Sequence, residues 1–259
     1  MRSEGGQEPD ETPYLSVVIP AYNEASRLPG TLRAVAAYLD ARPFPSEVIV
    51  VDDGSTDGTA AVASQSLPDR RVHILRERHR GKGAAVRAGM LAARGARVLF
   101  TDADLAVPIE ETGRLLALLD AGYAVVIGSR EGAGATREGE PAFRHVMGRV
   151  FNRLVRILAV PGIDDTQCGF KLFRADAVAA ILPRLRLYGG DAPEVHGARV
   201  TGFDVEVLVI ARRQGFRIRE APVRWRYGAQ SKVRPLADTF WNLRDILRVR
   251  LNDWRGCYR

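Results

Sequence analysis

Two aspartates one residue apart, Asp102 and Asp104, are the strongest chemical signal in the sequence. They come directly after residues 98–100, a short apolar run with the composition of a buried strand. Two carboxylates at a strand end can share a hard divalent cation, Mg2+ or Mn2+, whose remaining positions take phosphate oxygens and water. Because Asp-x-Asp also occurs by chance in surface turns, the triplet alone leaves a metal site and an ordinary turn equally open.

A second acidic cluster, residues 52–59, also begins where an apolar run ends. It either contributes side chains to a binding site or forms a turn in which Thr56 or Asp57 caps the next helix, and both interpretations can hold together. Ligands of open α/β sheets bind beyond the carboxyl ends of the strands. Residues 20–24, 52–57 and 102–104 are therefore expected to meet in one crevice.

The elements that would position these residues alternate between strand and helix. The pattern predicts strands at residues 15–20, 47–51, 72–75, 98–100, 124–127 and 218–225. It predicts helices at residues 28–39, 59–64, 83–93, 109–119, 143–158 and 203–212, with a mobile loop at 131–141. This alternation is typical of an α/β fold with a mostly parallel sheet flanked by helices.

Composition indicates one globular catalytic domain in a reducing compartment. The chain has 259 residues, of which 46% are hydrophobic and 27% charged, and it contains only two cysteines. No signal peptide and no apolar run of membrane-spanning length is visible, so a cytoplasmic location is expected. The net charge of +7 favours anionic partners without distinguishing nucleic acid from lipid phosphate or nucleotide.

Several segments together resemble family 2 glycosyltransferases in their order and spacing. They are Pro20-Ala21-Tyr22-Asn23-Glu24, Val51-Asp52-Asp53-Gly54-Ser55-Thr56-Asp57-Gly58-Thr59, Gly81-Lys82-Gly83 and Asp102-Ala103-Asp104. Residues 165–173, 203–206 and 231–232 are similar to the dolichyl-phosphate β-glucosyltransferase branch, which is related to the dolichol-phosphate mannose synthases. The resemblance covers residues 14–258.

This resemblance implies a GT-A fold, Rossmann-like, and a metal-dependent inverting transfer from a nucleotide diphosphate sugar. The first hypothesis is transfer of glucose from UDP-glucose to a polyprenyl or dolichyl phosphate. The second keeps the fold with GDP-mannose, another nucleotide sugar or a soluble acceptor. A nucleic-acid-binding module is disfavoured, because the basic residues follow no recognised binding motif and acidic clusters occupy the expected crevice.

The resemblance also implies roles for individual residues. Nucleotide-sugar binding is expected from Pro20, Tyr22, Glu24, Asp52, Asp53, Lys82, Asp102, Ala103 and Asp104. Asp102 and Asp104 are the expected metal ligands, and residues 105–108 offer no further polar ligand. The expected contacts of the acceptor phosphate are Arg130, Arg144, Ser231 and Lys232.

Asp165 and Asp204 complete the candidate catalytic set with Asp102 and Asp104. An acceptor hydroxyl would need a carboxylate as general base. A phosphate monoester is already ionised at neutral pH and needs positioning instead, so Asp165 either acts directly or orients basic side chains. The four histidines are scattered without metal-ligand spacing and are interpreted as solvated or packing residues.

The chain is expected to divide into a disordered tail (1–13), a catalytic domain (14–235) and a C-terminal amphipathic helix (236–259). One apolar stripe of that helix is predicted to contain Leu236, Phe240, Leu243, Leu247, Leu251, Trp254 and Tyr258. A neighbouring row contains Arg244, Arg248, Arg255 and Arg259. The stripe either packs on the core or enters an anionic membrane surface, which would make the protein peripheral at the inner face of the membrane.

Overall fold

A seven-stranded sheet organises the chain. The computed structural model describes residues 12–66, 72–139, 155–156, 159–195, 197, 202–228 and 235–259. The strands are β1 (Leu15–Ala21), β2 (Ser46–Asp53), β3 (Val72–Glu77), β4 (Arg97–Thr101), β5 (Val125–Ser129), β6 (Thr136–Glu138), β7 (Phe170–Arg174), β8 (Ile218–Pro222) and β9 (Arg224–Arg226).

Helices connect most of these strands. They are α1 (Leu28–Asp40), α2 (Thr59–Ser66), α3 (Lys82–Ala92), α4 (Thr112–Asp120), α5 (Ala175–Ile181), α6 (Phe203–Arg213) and α7 (Pro235–Trp254). Short 3-10 turns, Ile109–Glu111 and Leu182–Arg184, precede α4 and follow α5.

The sheet is mostly parallel, as the sequence predicts. Its strand order is β3-β2-β1-β4-β7-β5-β8, and every neighbouring pair is parallel except the two that involve β7. β6 and β9 form a separate parallel pair. Strands β1, β2 and β4 therefore all end at the same edge, where their polar residues follow.

Hydrophobic side chains cover both faces of the sheet, because successive residues of a strand point to opposite sides. In β1, Val17 and Ile19 pack with residues of α1 and α4, while Val18 packs on the other face. That other face is covered by α3, α5, α6 and α7. A sheet buried on both sides explains why its strands read as continuous apolar runs.

Some predicted elements are corrected by the structure. The predicted strand 218–225 is divided at Val223 into β8 and β9, and the predicted loop 131–141 contains the short strand β6. The predicted helix 143–158 lies almost entirely outside the described residues. Strand β7 and helix α5 were not predicted.

The C-terminal helix packs on the core, but not through the face that the sequence predicts. Ile246 and Val249 are fully buried against the sheet side that carries α6. Leu247, Leu251 and Trp254 of the predicted stripe are exposed instead. Since the helix ends at Trp254, Tyr258 leaves the stripe and is also fully buried. The side chains of Leu236 and Phe240 lie outside the described residues.

Candidate functional site

Beyond the ends of β1, β2 and β4, hydrogen bonds join the first two of the predicted segments to each other and the third segment to α1. The backbone N–H of Asn23 donates to Ser55 Oγ at 2.9 Å. The Thr31 hydroxyl donates to the carbonyl of Ala103 at 2.6 Å. Because β2, β1 and β4 are parallel neighbours, all three segments lie along one edge of the sheet, where the crevice is expected.

Backbone strain is concentrated in the same crevice. Among the described residues, the non-glycine positions with positive φ are Asn23, at +53°, and Leu105, at +46°. One follows Tyr22 and the other follows Asp104. Left-handed conformations are costly for residues with a Cβ and are often retained at functional sites.

Asp102 and Asp104 lie in a cluster of opposite charges. The Lys82 ammonium is 2.5 Å from Asp102 Oδ1, and the N–H of Ala106 donates to Asp104 Oδ1 at 3.1 Å. Burial, and then the charge of Asp102, raise the pKa of Asp104. Burial alone would lower the pKa of Lys82, but Asp102, Asp204 and Asp104 raise it above its ordinary value. This end of β4 thus brings two carboxylates, Asp102 and Asp104, together with one nearby ammonium, an environment that favours a cation.

Gly169 is required for the position of the Asp102 carboxylate. The register of β4 and β7 pairs Thr101 with Phe170, so Asp102 faces Gly169, and its N–H donates to the Gly169 carbonyl at 3.2 Å. A Cβ added to Gly169 would lie 2.0 Å from Asp102 Oδ2, far inside van der Waals contact. The carboxylate therefore occupies the space that a side chain at this position would fill.

Asp52 and Asp53 have different surroundings although they are adjacent. Asp52 Oδ1 accepts a hydrogen bond from the Ser55 N–H, three residues further on, at 3.0 Å, which closes the turn after β2. The Asp53 carboxylate accepts from His79 Nδ1 at 2.8 Å and from the N–H groups of Arg80 and Gly81, both at 2.9 Å. Asp53, predicted to bind nucleotide, therefore holds the loop that leads into Lys82.

His79 is a site residue that the sequence analysis missed. Its imidazole stacks face to face on the Tyr22 ring, with centroids 3.8 Å apart and planes 5° from parallel. In the sequence, the position of His79 just before Gly81-Lys82-Gly83 was a signal that it lies near the site. The sequence did not indicate that its imidazole stacks on Tyr22. Close by, Glu24 forms a bidentate ion pair with Arg27, with both contacts at 2.7 Å.

Asp165 is fully buried and paired with Arg130. Its carboxylate accepts from Arg130 Nε at 2.7 Å, Nη2 at 2.8 Å and the backbone N–H at 2.9 Å. Despite the opposing effect of burial, the Arg130 guanidinium lowers the pKa of Asp165 to about 2. The guanidinium also lies over the Trp225 ring, 5.5 Å from its centroid. This geometry matches the orienting role that the sequence left open.

Asp204, at the start of α6, is paired with a buried lysine. Lys171 is fully buried; its ammonium donates to Asp204 Oδ1 and to the Cys168 carbonyl and lies 5.1 Å from the Phe100 ring centroid. The sequence analysis missed Lys171, although a lysine within the apolar run Phe170-Lys171-Leu172-Phe173 was a visible signal. Burial raises the pKa of Cys168 to about 12, so this residue is a packed thiol.

The remaining predicted site residues either make no polar side-chain contact in the site or lie outside the described residues. Pro20 is buried at the end of β1. Arg144, Ser231 and Lys232 lie outside the described residues, and their roles remain predictions. Within the described part of the chain, no group of three or more His, Cys, Asp or Glu side chains is arranged to hold a metal ion. Asp102 and Asp104 are two carboxylate donors, which is compatible with a cation that also takes phosphate oxygens.

Comparisons with known proteins agree with this architecture. Residues 16–182 match the family model described as glycosyl transferase family 2. The chain is 32% identical to the dolichyl-phosphate beta-glucosyltransferase of Dictyostelium discoideum, over 98% of this chain and 79% of that protein. It is 36% identical to the Homo sapiens enzyme of the same name, over 96% of this chain and 78% of that protein.

Solved structures share the fold at lower sequence identity. Glucosyl-3-phosphoglycerate synthase from Mycobacterium tuberculosis, in complex with Mn2+, UDP-glucose and phosphoglyceric acid, has a TM-score of 0.63 at 20% identity, covering 94% of this chain and 80% of that chain. Mannosyl-3-phosphoglycerate synthase from Rubrobacter xylanophilus has a TM-score of 0.60 at 17% identity, covering 95% of this chain and 76% of that chain.

Proposed function

The chain belongs to glycosyl transferase family 2, and we propose that it transfers glucose from UDP-glucose to the phosphate of a polyprenyl or dolichyl lipid, with inversion. The observation that carries the proposal is that the protein has two charged features: the cluster around Asp102 and Asp104, and Arg130, which the buried Asp165 carboxylate holds in place. The first can hold a diphosphate and the second a phosphate. Relatives named for this reaction support the choice of sugar and lipid.

The donor nucleotide is proposed to lie between Tyr22 and Asp52. The stacked Tyr22 and His79 rings form an aromatic wall at this end of the crevice. The Asp52 carboxylate, turned toward the same edge by its bond to Ser55, can accept a hydrogen bond from the base. Asp53 supports this end indirectly by fixing His79 and the loop before α3.

The diphosphate is proposed to lie beside Asp102, Asp104 and Lys82. A divalent cation, Mg2+ or Mn2+, held by the two aspartates would offset the charge that develops on the departing UDP. In the free protein Lys82 neutralises Asp102. With a divalent cation held by that carboxylate, the Lys82 ammonium would be available to bind a phosphate oxygen of the leaving group.

The acceptor phosphate is proposed to bind Arg130. Two of the guanidinium nitrogens are committed to Asp165, which sets the orientation of the group. An ionised phosphate oxygen then attacks the anomeric carbon from the side opposite UDP; the new C–O bond forms as the bond to UDP breaks, which inverts the configuration. Because the nucleophile is already ionised, no general base is needed. Asp165 and Asp204 thus act as positioning residues for Arg130 and Lys171.

We further propose that the reaction takes place at the inner face of a membrane with an anionic surface. Among the described residues, no helix is long and apolar enough to cross a bilayer. A lipid acceptor nevertheless has its phosphate at the membrane surface, so the enzyme must meet it there. The acidic crevice also disfavours the phosphates of a polynucleotide.

The proposal is tested by a donor and acceptor screen on the purified full chain. UDP-glucose, UDP-galactose and GDP-mannose are each offered with a polyprenyl phosphate, the matching polyprenol and 3-phosphoglycerate, in Mg2+ or Mn2+. Glucose transfer to the polyprenyl phosphate, and not to the polyprenol, is expected. Transfer only to 3-phosphoglycerate, or only from GDP-mannose, would contradict it.

Matched variants show whether the observed activity belongs to this site. Asp104→Asn should abolish turnover, since a neutral amide binds a divalent cation and diphosphate far more weakly than a carboxylate. Asp120→Asn is the control, because Asp120 only forms an exposed ion pair with Arg97 at the start of β4. Equal loss in both variants would place the activity elsewhere.

A further inference from the structure

The outward face of α7 carries exposed hydrophobic side chains. Leu247, Leu251 and Trp254 are 55%, 41% and 84% exposed, and we call them the outer stripe. The described part of the chain has only one other exposed large hydrophobic residue, Leu91 on α3. At spacings of four and three residues, the three side chains share one side of the helix. Exposed hydrophobic side chains are thus concentrated at this helix.

The outer stripe cannot be buried by rolling the helix. The opposite face is fixed by Asp245, which accepts from the Tyr188 hydroxyl, and by Asp253, which pairs with both Arg213 Nε and Nη2. Ile246 is fully buried on the same side. Rotation would expose this core residue and break the hydrogen bonds to two buried carboxylates, each costly to leave unpaired. The stripe therefore remains available to something outside the domain.

Arginines flank the outer stripe along one side. Arg244, Arg248 and Arg255 are all exposed; by helical geometry the first two lie about a quarter turn from the stripe, and Arg255 directly follows Trp254 at the helix end. No ion pair between described residues involves any of the three. An apolar stripe beside exposed arginines, with a tryptophan at its end, suits the boundary between acyl chains and anionic headgroups.

We infer that the outer stripe docks α7 on the surface of an anionic bilayer; this inference rests on the proposed lipid acceptor. Three side chains are too few for a stable protein interface, which buries about 800 Å² on each partner. A shallow interfacial helix needs only such a strip, supplemented by electrostatic attraction.

The position of α7 explains what this docking achieves. Gly228 lies beside Asp104, since a Cβ added to it would be 3.6 Å from Asp104 Oδ2. Pro235, where α7 begins, follows seven residues later, a path of at most about 25 Å even when fully extended. The outer stripe lies roughly 20–30 Å further along the helix, so docking α7 on the bilayer would hold the site within a few tens of ångströms of the lipid phosphates.

Vesicle binding by the full chain tests the inference. The native protein and its variants are sedimented with phosphatidylcholine vesicles, with or without phosphatidylglycerol, at rising salt. We expect binding to the anionic vesicles only, weakened by salt. Replacing Leu247, Leu251 and Trp254 by Gln should weaken it at least about tenfold. Replacing Arg244, Arg248 and Arg255 by Glu should weaken it by at least about a hundredfold, because losing each positive charge alone costs about fivefold.

Controls of the same chemistry lie elsewhere on the surface. Leu91→Gln removes the other exposed leucine, and Arg33→Glu reverses an exposed charge on α1. Both should bind vesicles like the native protein. Absence of binding at low salt, or equal binding by stripe and control variants, would overturn the inference. So would native self-association, measured by sedimentation without vesicles, that the stripe variant abolishes, because the stripe would then join two copies of the chain.

A water-soluble acceptor separates this inference from the proposed function. With a short-chain polyprenyl phosphate and no vesicles, the stripe variant should transfer glucose like the native protein. With a long-chain acceptor in anionic vesicles, its rate should fall in proportion to its binding. If the native protein binds vesicles but glucosylates neither acceptor, the proposed function fails while the docking surface stands.

Discussion

Replacing Gly169 by alanine is expected to inactivate the site without unfolding the protein. The new methyl group would lie 2.0 Å from Asp102 Oδ2, whereas ordinary contacts begin near 3.4 Å, so the carboxylate must move by more than 1 Å. The clash is with the end of a side chain that can rotate. The cost in unfolding free energy should therefore be small, about 1–2 kcal/mol.

Activity should respond much more strongly than stability. Misplacing a positioned group by about 1 Å costs on the order of a hundredfold in rate. Asp102 would also move away from Lys82, 2.5 Å away in the native protein, and from the proposed cation position next to Asp104. We therefore expect kcat/KM for UDP-glucose to fall about a hundredfold and the metal concentration for half-maximal activity to rise.

Steady-state kinetics, metal titration and urea unfolding measure the two effects separately. Gly30→Ala and Gly113→Ala are matched controls, because a Cβ at either position meets nothing within 4 Å and both glycines lie in helices. Since both glycines lie in the first turn of their helices, each change should raise stability by at most about 0.5 kcal/mol and leave the rate unchanged. If Gly169→Ala retains a rate within twofold of native in the folded state, Asp102 does not need the position that the structure gives it.

The other predictions concern buried pairs and the aromatic wall. Because folding lowers the pKa of Asp165 from 3.8 to about 2, its ionised form should contribute about 2 kcal/mol to the unfolding free energy above pH 4, and this contribution should be lost as the pH falls towards 2. In Asp165→Asn, this part of the pH dependence of the urea midpoint should vanish. The KM for the acceptor phosphate should rise in the same variant, because Arg130 loses its charged partner. Retained pH dependence in the variant would assign it to another group. His79→Ala should weaken UDP binding in calorimetry about three- to tenfold, the value of one stacked pair, and unchanged affinity would show that the histidine does not support the nucleotide. Lys171→Met should cost about 3–5 kcal/mol in urea unfolding because it strands the Asp204 carboxylate, and the double variant with Asp204→Leu should recover most of it; no recovery would mean that the pair is not the source of the loss.

The crevice could be predicted from the sequence because it depends on local patterns. Apolar runs that end in polar clusters locate the carboxyl ends of β1, β2 and β4, and parallel strands bring those ends to one edge. These two rules are enough to predict that Asp102 lies near the residues that follow β1 and β2. The same reasoning does not distinguish Asp52 from Asp53, since only the contacts with the loop at His79 give them different roles.

Contacts between residues far apart in the chain could not be predicted from the sequence. Strand β7 is the antiparallel strand of the large sheet, inserted between β4 and β5, and its short run with an internal lysine has no clear period. The partner of Lys171 is 33 residues away on another element. The helical period of α7 was visible, but polar contacts of Asp245 and Asp253 decide which face docks, and hydrophobic periodicity does not report them.

We expect the insertion of β7 to determine when in folding the protein becomes active. Strands β1 to β4 are joined by short connections and can pair early, whereas β7 must return to β4 across a loop of roughly seventy residues, which is slow to close. Gly169 reaches Asp102 only once that strand has arrived. A nascent chain with its first half in place would therefore lack a working catalytic centre and would not consume sugar nucleotide. On refolding, enzymatic activity should return after the helical signal, at the rate at which this strand enters the sheet.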